Sequence, residues 1–128
     1  MIVSRPKKII VVDDEDVMLK IITTLLKAAG HEVIPENDSL TAVKLIAQEK
    51  PDCLITDLVM PGLDGLQMIG ELKGVAQLQN MKIIMVTTRT DDLWKKMALE
   101  KGVDGFINKP LDTKMFAAEV NDIISEGD

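Results

Sequence analysis

Five short runs rich in apolar and β-branched residues alternate with helical segments along the chain. The β-rich runs cover residues 8–13, 32–37, 52–57, 82–88 and 105–110, and the helical segments cover about 15–29, 39–49, 64–74, 91–101 and 111–126. The first, third and fourth runs are continuously apolar, which is typical of strands covered on both faces in a parallel sheet. Since parallel crossovers are right-handed, the alternation predicts an α/β fold: a five-stranded parallel sheet in a doubly wound (βα)5 sandwich.

Residues that favour helix ends stand at the boundaries of these segments. Asp38 and Thr90 are placed as N-caps, and Gly30, Gly74 and Gly102 are placed where C-terminal caps belong. The pattern therefore supports the proposed boundaries between helices and strands.

The size and composition predict one domain over residues 1–128. The chain is 46% hydrophobic, which is enough for a real core, and it contains no repeat or linker. We expect any output domain to lie on another chain or outside this sequence. Cys53, the single cysteine, excludes an internal disulfide and is interpreted as a small core residue, so a reducing, cytoplasmic setting is expected.

Charge and hydropathy exclude two classes of partner. The net charge is −6 and the pI is about 4.8, so we expect no direct binding to nucleic acid. No apolar run exceeds four residues, whereas roughly 20 are needed to span a bilayer, so no membrane partner is expected. The N-terminal stretch "MIVSRPKK" does not have the pattern of a signal peptide.

Polar and charged residues follow four of the predicted strands. Asp13 and Asp14 follow the first strand, Asp57 the third, Thr87 the fourth and Lys109 the fifth. The carboxyl ends of parallel strands form the working crevice of an open α/β sheet. We therefore expect three carboxylates, one ammonium and one hydroxyl to meet there.

Such a cluster requires a compensating positive charge. Two carboxylates about 4 Å apart repel by roughly 4 kcal/mol at an effective dielectric constant near 20. A helix N-terminus returns only about 0.3–1 kcal/mol, and Lys109 offsets only part of the rest. Hard oxygen ligands without clustered His or Cys favour Mg²⁺. Glu15 and Asp16 are interpreted as ordinary acidic residues of a first helical turn.

Four motifs resemble the receiver domain of two-component response regulators, such as the stand-alone chemotaxis receiver. They are "VVDDED" (11–16), "ITDLVMPGLDG" (55–65), "MVTT" (85–88) and "GFINKP" (105–110), in order and spread over nearly the whole chain. The resemblance implies a flavodoxin-like sheet with strand order 2-1-3-4-5.

The resemblance also implies a metal site and an acceptor residue. Asp57 would accept a phosphoryl group from a histidine kinase phosphohistidine. Asp14 would bind Mg²⁺ directly, Asp13 would hold it partly through water, and Asp57 and the backbone carbonyl of Val59 would complete the protein ligands. Mg²⁺ is thus the expected cofactor.

Three further residues receive roles by the same resemblance. Thr87 would bond one phosphoryl oxygen and Lys109 would pair with another, so that Asp57, Thr87 and Lys109 form the reactive set. The peptide bond between Lys109 and Pro110 is expected to be cis. Phe106 and Thr87 would form the conformational switch, with the alternative that Phe106 is an ordinary core aromatic on an edge strand.

The chain departs from the family pattern beside the acceptor. Val59 is apolar and cannot hydrogen-bond an attacking water, and the effect of Arg89 at the second flanking position stays open. Thr88 is bulkier than the small residue common there. The lifetime of a phosphorylated form is therefore left open.

Leu93, Trp94 and Met97 are expected to form an exposed cluster on the fourth helix, because Leu93 and Met97 are an i, i+4 apolar pair and Trp is enriched at interface hot spots. The alternative is that Trp94 packs onto its own domain. His31, in the turn after the first helix, is interpreted as solvent-exposed and without a role.

The sequence thus favours a phosphorylation-dependent switch that is not an enzyme, although it would assist its own phosphorylation and dephosphorylation. Expected partners are a sensor histidine kinase or phosphotransfer protein and a downstream output protein, and a phosphorylation-dependent dimer stays open. The responding surface would combine the fourth helix, fifth strand and fifth helix.

One alternative is a haloacid-dehalogenase-like phosphatase. That family has an Asp-x-Asp motif, whereas here the residue two positions after Asp57 is Val59. Another is a pseudo-receiver that binds partners without phosphorylation. A flavin-binding relative is disfavoured by an aromatic content of only 2%.

Overall fold

A computed structural model of the chain describes residues 6–72, 74, 78–89 and 91–125. Strands and helices alternate along it. The strands are β1 (Lys8–Val12), β2 (Glu32–Glu36), β3 (Cys53–Thr56), β4 (Lys82–Thr87) and β5 (Gly105–Asn108). The helices are α1 (Asp16–Ala28), α2 (Ser39–Glu49), α3 (Gly65–Leu72), α4 (Asp92–Glu100) and α5 (Phe116–Ser125).

The five strands form one parallel sheet in the order β2-β1-β3-β4-β5, which confirms the predicted fold class and strand order. Val12 at the end of β1 is level with Glu36 of β2 and Thr56 of β3. Thr87 at the end of β4 is level with Asn108 of β5. The carboxyl ends of all five strands therefore share one edge of the sheet.

Alternate strand residues feed two separate cores, one on each face of the sheet. One core joins the sheet to α2, α3 and α4, and the other joins it to α1 and α5. On the first face lie Ile10, Val12, Leu54 and Met85, and on the second lie Ile9, Val11, Ile55 and Ile84. This arrangement explains why the three central strands lack polar alternation, since neither of their faces meets water.

Aspartates cap three helices at their N-termini, and Asp64 caps α3 by accepting a hydrogen bond from the Gln67 amide at 2.8 Å. Asp38 caps α2, as predicted, by accepting a hydrogen bond from the Thr41 amide at 3.0 Å. Asp91 caps α4 by accepting from the Trp94 amide at 3.3 Å. The predicted cap at Thr90 lies outside the described residues. No helix in the described ranges is both long and apolar enough to cross a bilayer.

Glycines close two helices as predicted. Gly30 follows α1 and Gly102 follows α4, with φ angles of 101° and 104°. This left-handed conformation is the one that glycine adopts at little cost. Gly74, two residues after the end of α3, lies in a turn.

Helix α5 begins at Phe116, five residues later than the sequence pattern predicted. Asp112 accounts for the delay, because its carboxylate accepts from the Lys114 amide at 3.0 Å. Its carbonyl also accepts from the amides of Met115 and Phe116. The chain therefore makes a tight turn around Asp112 before the helix starts.

The prediction that His31 is exposed is wrong. The side chain is only 6% exposed, and its Nδ1 accepts a hydrogen bond from the Lys7 amide at 3.0 Å. Nε2 lies 2.7 Å from Oδ1 of Asn121 on α5, and since Nδ1 is an acceptor, Nε2 carries the proton and donates it. His31 thus connects the start of β1 to α5.

Cys53 is fully buried in β3, as expected for a core residue. Burial raises the pKa of its thiol, with smaller contributions from Asp104 and Asp52, so the side chain behaves as a neutral apolar group.

Candidate functional site

Three carboxylates meet at the carboxyl edge of the sheet, as the sequence predicted. The Asp13 amide donates to the Glu36 carbonyl and the Asp57 amide donates to the Val12 carbonyl, so the sheet ladder fixes the backbone at both positions. A carboxylate oxygen from each of Asp13, Asp14 and Asp57 lies within 4.8 Å of the others. The strand register therefore brings together groups that are 44 residues apart in the chain.

Lys109 inserts its ammonium between two of these carboxylates. Its Nζ lies 3.1 Å from Oδ2 of Asp57 and 3.4 Å from Oδ2 of Asp13, and its side chain is only 10% exposed. The Lys109 amide donates to the Thr87 carbonyl at 3.0 Å, and the following peptide bond to Pro110 is cis, as expected. We call Asp13, Asp14, Asp57 and Lys109 the acidic edge.

The acidic edge carries uncompensated negative charge. Burial raises the pKa of Asp13, even though a hydrogen bond from the Glu15 amide and the charge of Lys109 both favour the ionised form. Burial alone would lower the pKa of Lys109, but its hydrogen bond to Asp57 and its attraction to Asp13 and Asp57 outweigh burial, so that pKa is raised. Asp13 and Lys109 therefore both bind their protons more tightly than free side chains do, and the three carboxylates of the edge outnumber its single ammonium.

The acidic edge offers a donor set that fits a divalent cation. Ligand oxygens about 2.1 Å from an octahedral Mg²⁺ lie about 3–4 Å apart, so oxygens within 4.8 Å of one another need only small movements. Asp14 is exposed and forms no hydrogen bond or ion pair within the described part of the chain. Oxygen donors without nearby thiol or imidazole ligands suit Mg²⁺ better than zinc or copper.

Asp57 is held in place on both sides of its carboxylate. Oδ1 accepts from the Leu58 amide at 2.7 Å, and Oδ2 accepts from Lys109. The next loop folds back closely, since the Gly65 amide donates to the Leu58 carbonyl at 2.7 Å. A Cβ at Gly65 would lie 2.6 Å from the Asp57 carbonyl oxygen, so only glycine fits there. The Val59 side chain, 71% exposed, points away from the core.

Thr87 ends β4 beside the acidic edge and is 2% exposed. Its Oγ1 accepts a hydrogen bond from the Arg89 amide at 3.1 Å, which leaves its own proton free to be donated. Thr87 is joined to Lys109 through the backbone bond described above. The predicted reactive residues are therefore neighbours along adjacent strand ends.

The prediction that Trp94 is exposed is wrong. Trp94 is only 4% exposed and packs on its own domain, with its ring centroid 5.5 Å from that of Phe106 in an edge-to-face contact. Leu93 and Met97 are exposed, at 72% and 45%. Trp94 is one residue further along α4, about 100° around the helix from Leu93, so it faces the sheet instead.

Phe106 belongs to the same contact and is half-buried against the core. The Arg89 guanidinium lies over the Trp94 ring at 5.7 Å, and the Lys95 ammonium lies over the Phe106 ring at 5.8 Å. We call Trp94 and Phe106, with these two cations, the aromatic patch.

Three contacts near the site were not predicted from the sequence. Arg89 forms a bidentate ion pair with Asp91, in which Nε lies 3.0 Å from Oδ1 and Nη2 lies 3.1 Å from Oδ2. Glu15, interpreted as a simple helix-turn residue, lies 3.7 Å from the Lys109 ammonium. Ser39 binds the loop that follows Asp57. The i, i+2 spacing of Arg89 and Asp91 could have indicated their ion pair, whereas no neighbouring residue in the sequence indicates the role of Ser39.

Comparison with known proteins agrees with this geometry. The model of the response regulator receiver domain matches residues 9–121. The chain therefore belongs to the response regulator receiver domain family, whose members are typically signalling switches and not enzymes.

Solved structures of the family superpose closely on this chain. A chemotaxis response regulator of Vibrio cholerae has 24% identity and a TM-score of 0.87 over 93% of this chain and 99% of its own. A response regulator receiver domain protein of Clostridium thermocellum has 28% identity and a TM-score of 0.82, covering 93% and 94%. The receiver domain of a signal transduction histidine kinase from Syntrophus aciditrophicus has 27% identity and a TM-score of 0.82, covering 94% and 92%.

Proposed function

We propose that residues 1–128 form a single receiver domain that accepts a phosphoryl group on Asp57 in a Mg²⁺-dependent reaction. The observation that carries this proposal is the convergence of three carboxylates, two of which, Asp13 and Asp57, contact the buried ammonium of Lys109. A cluster of this kind is destabilised by its own charge, and a structural role alone would not require it.

The chemical step is transfer of a phosphoryl group from a phosphohistidine. A carboxylate oxygen of Asp57 forms a bond to phosphorus while the bond from phosphorus to the histidine nitrogen breaks, and that nitrogen takes up a proton. Lys109 pairs with one phosphoryl oxygen, and the hydroxyl of Thr87 donates a hydrogen bond to another. Phosphoryl transfer depends mainly on positioning and on neutralising oxygen charge, which these two groups supply.

The proposed metal ligands are Asp13, Asp14, Asp57 and the backbone carbonyl of Val59. When bound, Mg²⁺ would neutralise oxygen charge on the phosphoryl group during transfer. Lys109 orients Asp57 through its 3.1 Å contact with Oδ2, whether or not a metal is bound.

We further propose that phosphorylation changes the surface formed by α4, β5 and α5. In the described structure the Thr87 hydroxyl is engaged by the Arg89 amide, and Arg89 in turn contacts Trp94 of the aromatic patch. A hydroxyl drawn toward a phosphoryl group would disturb this connection and alter the packing of Phe106. The charge of the phosphoryl group would thus shift the equilibrium between two packing arrangements of the surface formed by α4, β5 and α5.

The proposed partners are a sensor histidine kinase or phosphotransfer protein upstream and an output protein downstream. The exposed side chains of Leu93 and Met97 on α4 offer apolar contact area for such an output partner. We propose that the protein works in the cytoplasm, in keeping with its free, buried Cys53.

Incubation with Mg²⁺ and acetyl phosphate, followed by intact mass measurement, tests the acceptor. The wild-type protein should gain one phosphoryl group, and Asp57→Asn should gain none. Omission of Mg²⁺ should suppress the gain in wild type. A gain that survives Asp57→Asn would move the acceptor to another residue.

The same experiment separates the two rival functions. A pseudo-receiver would show no mass gain and no Mg²⁺ affinity. A phosphatase would release phosphate from added esters over many turnovers, without accumulating the modified protein.

A further inference from the structure

The loop between Asp57 and α3 is hydrogen-bonded to α2 through one side-chain oxygen, that of Ser39. Ser39, the first residue of α2, is 1% exposed. Its hydroxyl donates to the Pro61 carbonyl at 3.0 Å and accepts from the Leu63 amide at 3.0 Å. In the described part of the chain, these are the hydrogen bonds that residues 59–63 make with other segments.

The Ser39 hydroxyl is not needed to cap its own helix. Asp38 performs that function by binding the amide and hydroxyl of Thr41, at 3.0 and 2.6 Å. The buried Ser39 hydroxyl therefore makes its hydrogen bonds to the loop that follows β3 and not to its own helix.

The loop is shaped to receive this oxygen. Gly62 lies between the two bonded residues with a φ of 83°, and a Cβ there would come within 3.3 Å of Ser39 Oγ. Glycine at this position thus allows both the turn and the close approach of the hydroxyl.

We propose that Ser39 is a positioning residue for the metal site: its hydroxyl fixes the 59–63 loop so that the Val59 carbonyl is presented to the cation beside Asp57. The proposal rests on the proposed Mg²⁺-dependent function and extends it to a residue on another helix. Val59 is two residues from the bonded Pro61, and its exposed side chain provides no anchor of its own. Buried Met60 holds the loop by apolar packing. Ser39 orients the carbonyl and amide groups of the loop backbone through its two hydrogen bonds.

The test compares Ser39→Ala with Ile46→Val in calorimetric titrations with Mg²⁺. Ile46 is fully buried on the same helix and has no hydrogen-bonding side chain, so Ile46→Val loosens α2 without touching the loop contacts. Ser39→Ala removes both hydrogen bonds to the loop, and we expect it to raise the Kd for Mg²⁺ at least about fivefold, the factor that corresponds to the loss of one hydrogen bond. Ile46→Val should keep the wild-type Kd.

Phosphorylation by acetyl phosphate provides a second readout. The rate for Ser39→Ala should be lower at limiting Mg²⁺ and should return to the wild-type rate at saturating Mg²⁺, because Ser39 touches neither acceptor nor donor. Amide exchange without metal supplies a third readout, in which Leu63 should exchange faster in Ser39→Ala and at the wild-type rate in Ile46→Val.

Gly62→Ala disrupts the same contact from the loop side and keeps the proposal testable if Ser39→Ala folds poorly. It should also weaken Mg²⁺ binding. Wild-type Kd values in both Ser39→Ala and Gly62→Ala, or an equal rise in Ile46→Val, would overturn the role of Ser39. Absence of Mg²⁺ binding by the wild-type protein would instead contradict the proposed function itself.

Discussion

The acidic edge and the aromatic patch lie at the same end of the sheet, but they are held by opposite forces. At the acidic edge, strand ends force like charges together, and one ammonium compensates only part of the repulsion. At the aromatic patch, apolar burial and ring contacts between α4 and β5 stabilise the fold directly. Residues of the patch should therefore contribute to stability without metal, whereas the contribution of the edge should depend on the bound cation.

Trp94→Ala should produce the largest loss of stability. The side chain is 4% exposed and contacts Phe106, so truncation should cost about 4 kcal/mol of unfolding free energy through lost burial and a residual cavity. Urea unfolding followed by circular dichroism measures the loss. Because the aromatic patch should stabilise the fold independently of metal, we expect the same loss with and without Mg²⁺. A loss that disappears in Mg²⁺ would contradict that independence.

Lys109→Met should come next, with a cost of about 3 kcal/mol without Mg²⁺, because it leaves buried carboxylates without their cation. Added Mg²⁺ should restore part of this loss, in contrast to Trp94→Ala. Parallel urea titrations with Mg²⁺ and with a chelator measure the difference. If the loss is equal in the two buffers, Lys109 and the metal do not share the same carboxylates.

How far the sequence predicted these two regions depends on what fixes each residue. Asp13 and Asp57 directly follow continuously apolar runs, and Lys109 follows the fifth predicted strand, so all three could be placed at the carboxyl edge of a parallel sheet. The strand order that makes them neighbours is implied only by the resemblance to receiver domains. Helix α4 offers two apolar pairs at i, i+4 spacing, of which Leu93 and Met97 face solvent and Trp94 and Ala98 face the sheet. Local periodicity does not decide between the two pairs, since the choice depends on packing against Phe106 and the core.

Polar contacts between residues far apart in the chain could not be predicted from the sequence either. His31 is buried because Asn121, 90 residues away, and the Lys7 amide satisfy both ring nitrogens. Ser39 is committed to a loop more than 20 residues further along the chain. In both cases the partner is known only once the helices are packed on the sheet, so the sequence suggested an exposed His31 and indicated no role for Ser39.

Asp13→Asn should have a smaller effect and of opposite sign. Removing one of the crowded charges should stabilise the metal-free protein by about 1 kcal/mol at neutral pH, after the lost attraction to Lys109 is subtracted. It should also abolish the stabilisation by Mg²⁺, which for wild type at ten times the Kd is about 1.4 kcal/mol. Thermal unfolding with and without Mg²⁺ measures both effects.

The pH dependence of this difference tests its electrostatic origin. Burial raises the pKa of Asp13 above its ordinary value of 3.8, so the folded protein binds the proton more tightly than the unfolded chain. The contribution of Asp13 to stability therefore falls as the pH rises through the raised value. The advantage of Asp13→Asn should be small at pH 3 and larger at pH 7, and an advantage independent of pH would indicate a packing effect.

Trp94→Phe should have the smallest effect and separates burial from polarity within the aromatic patch. The indole Nε1 is buried, and it has no hydrogen-bond partner in the described part of the chain. Replacement by Phe loses some packing volume but also removes this unsatisfied donor, so the two contributions should nearly cancel and stability should change by less than about 1 kcal/mol. Urea unfolding beside Trp94→Ala provides the measurement. A loss as large as that of Trp94→Ala would mean that the indole donor is satisfied in solution, and the patch would then depend on a polar bond as the acidic edge does.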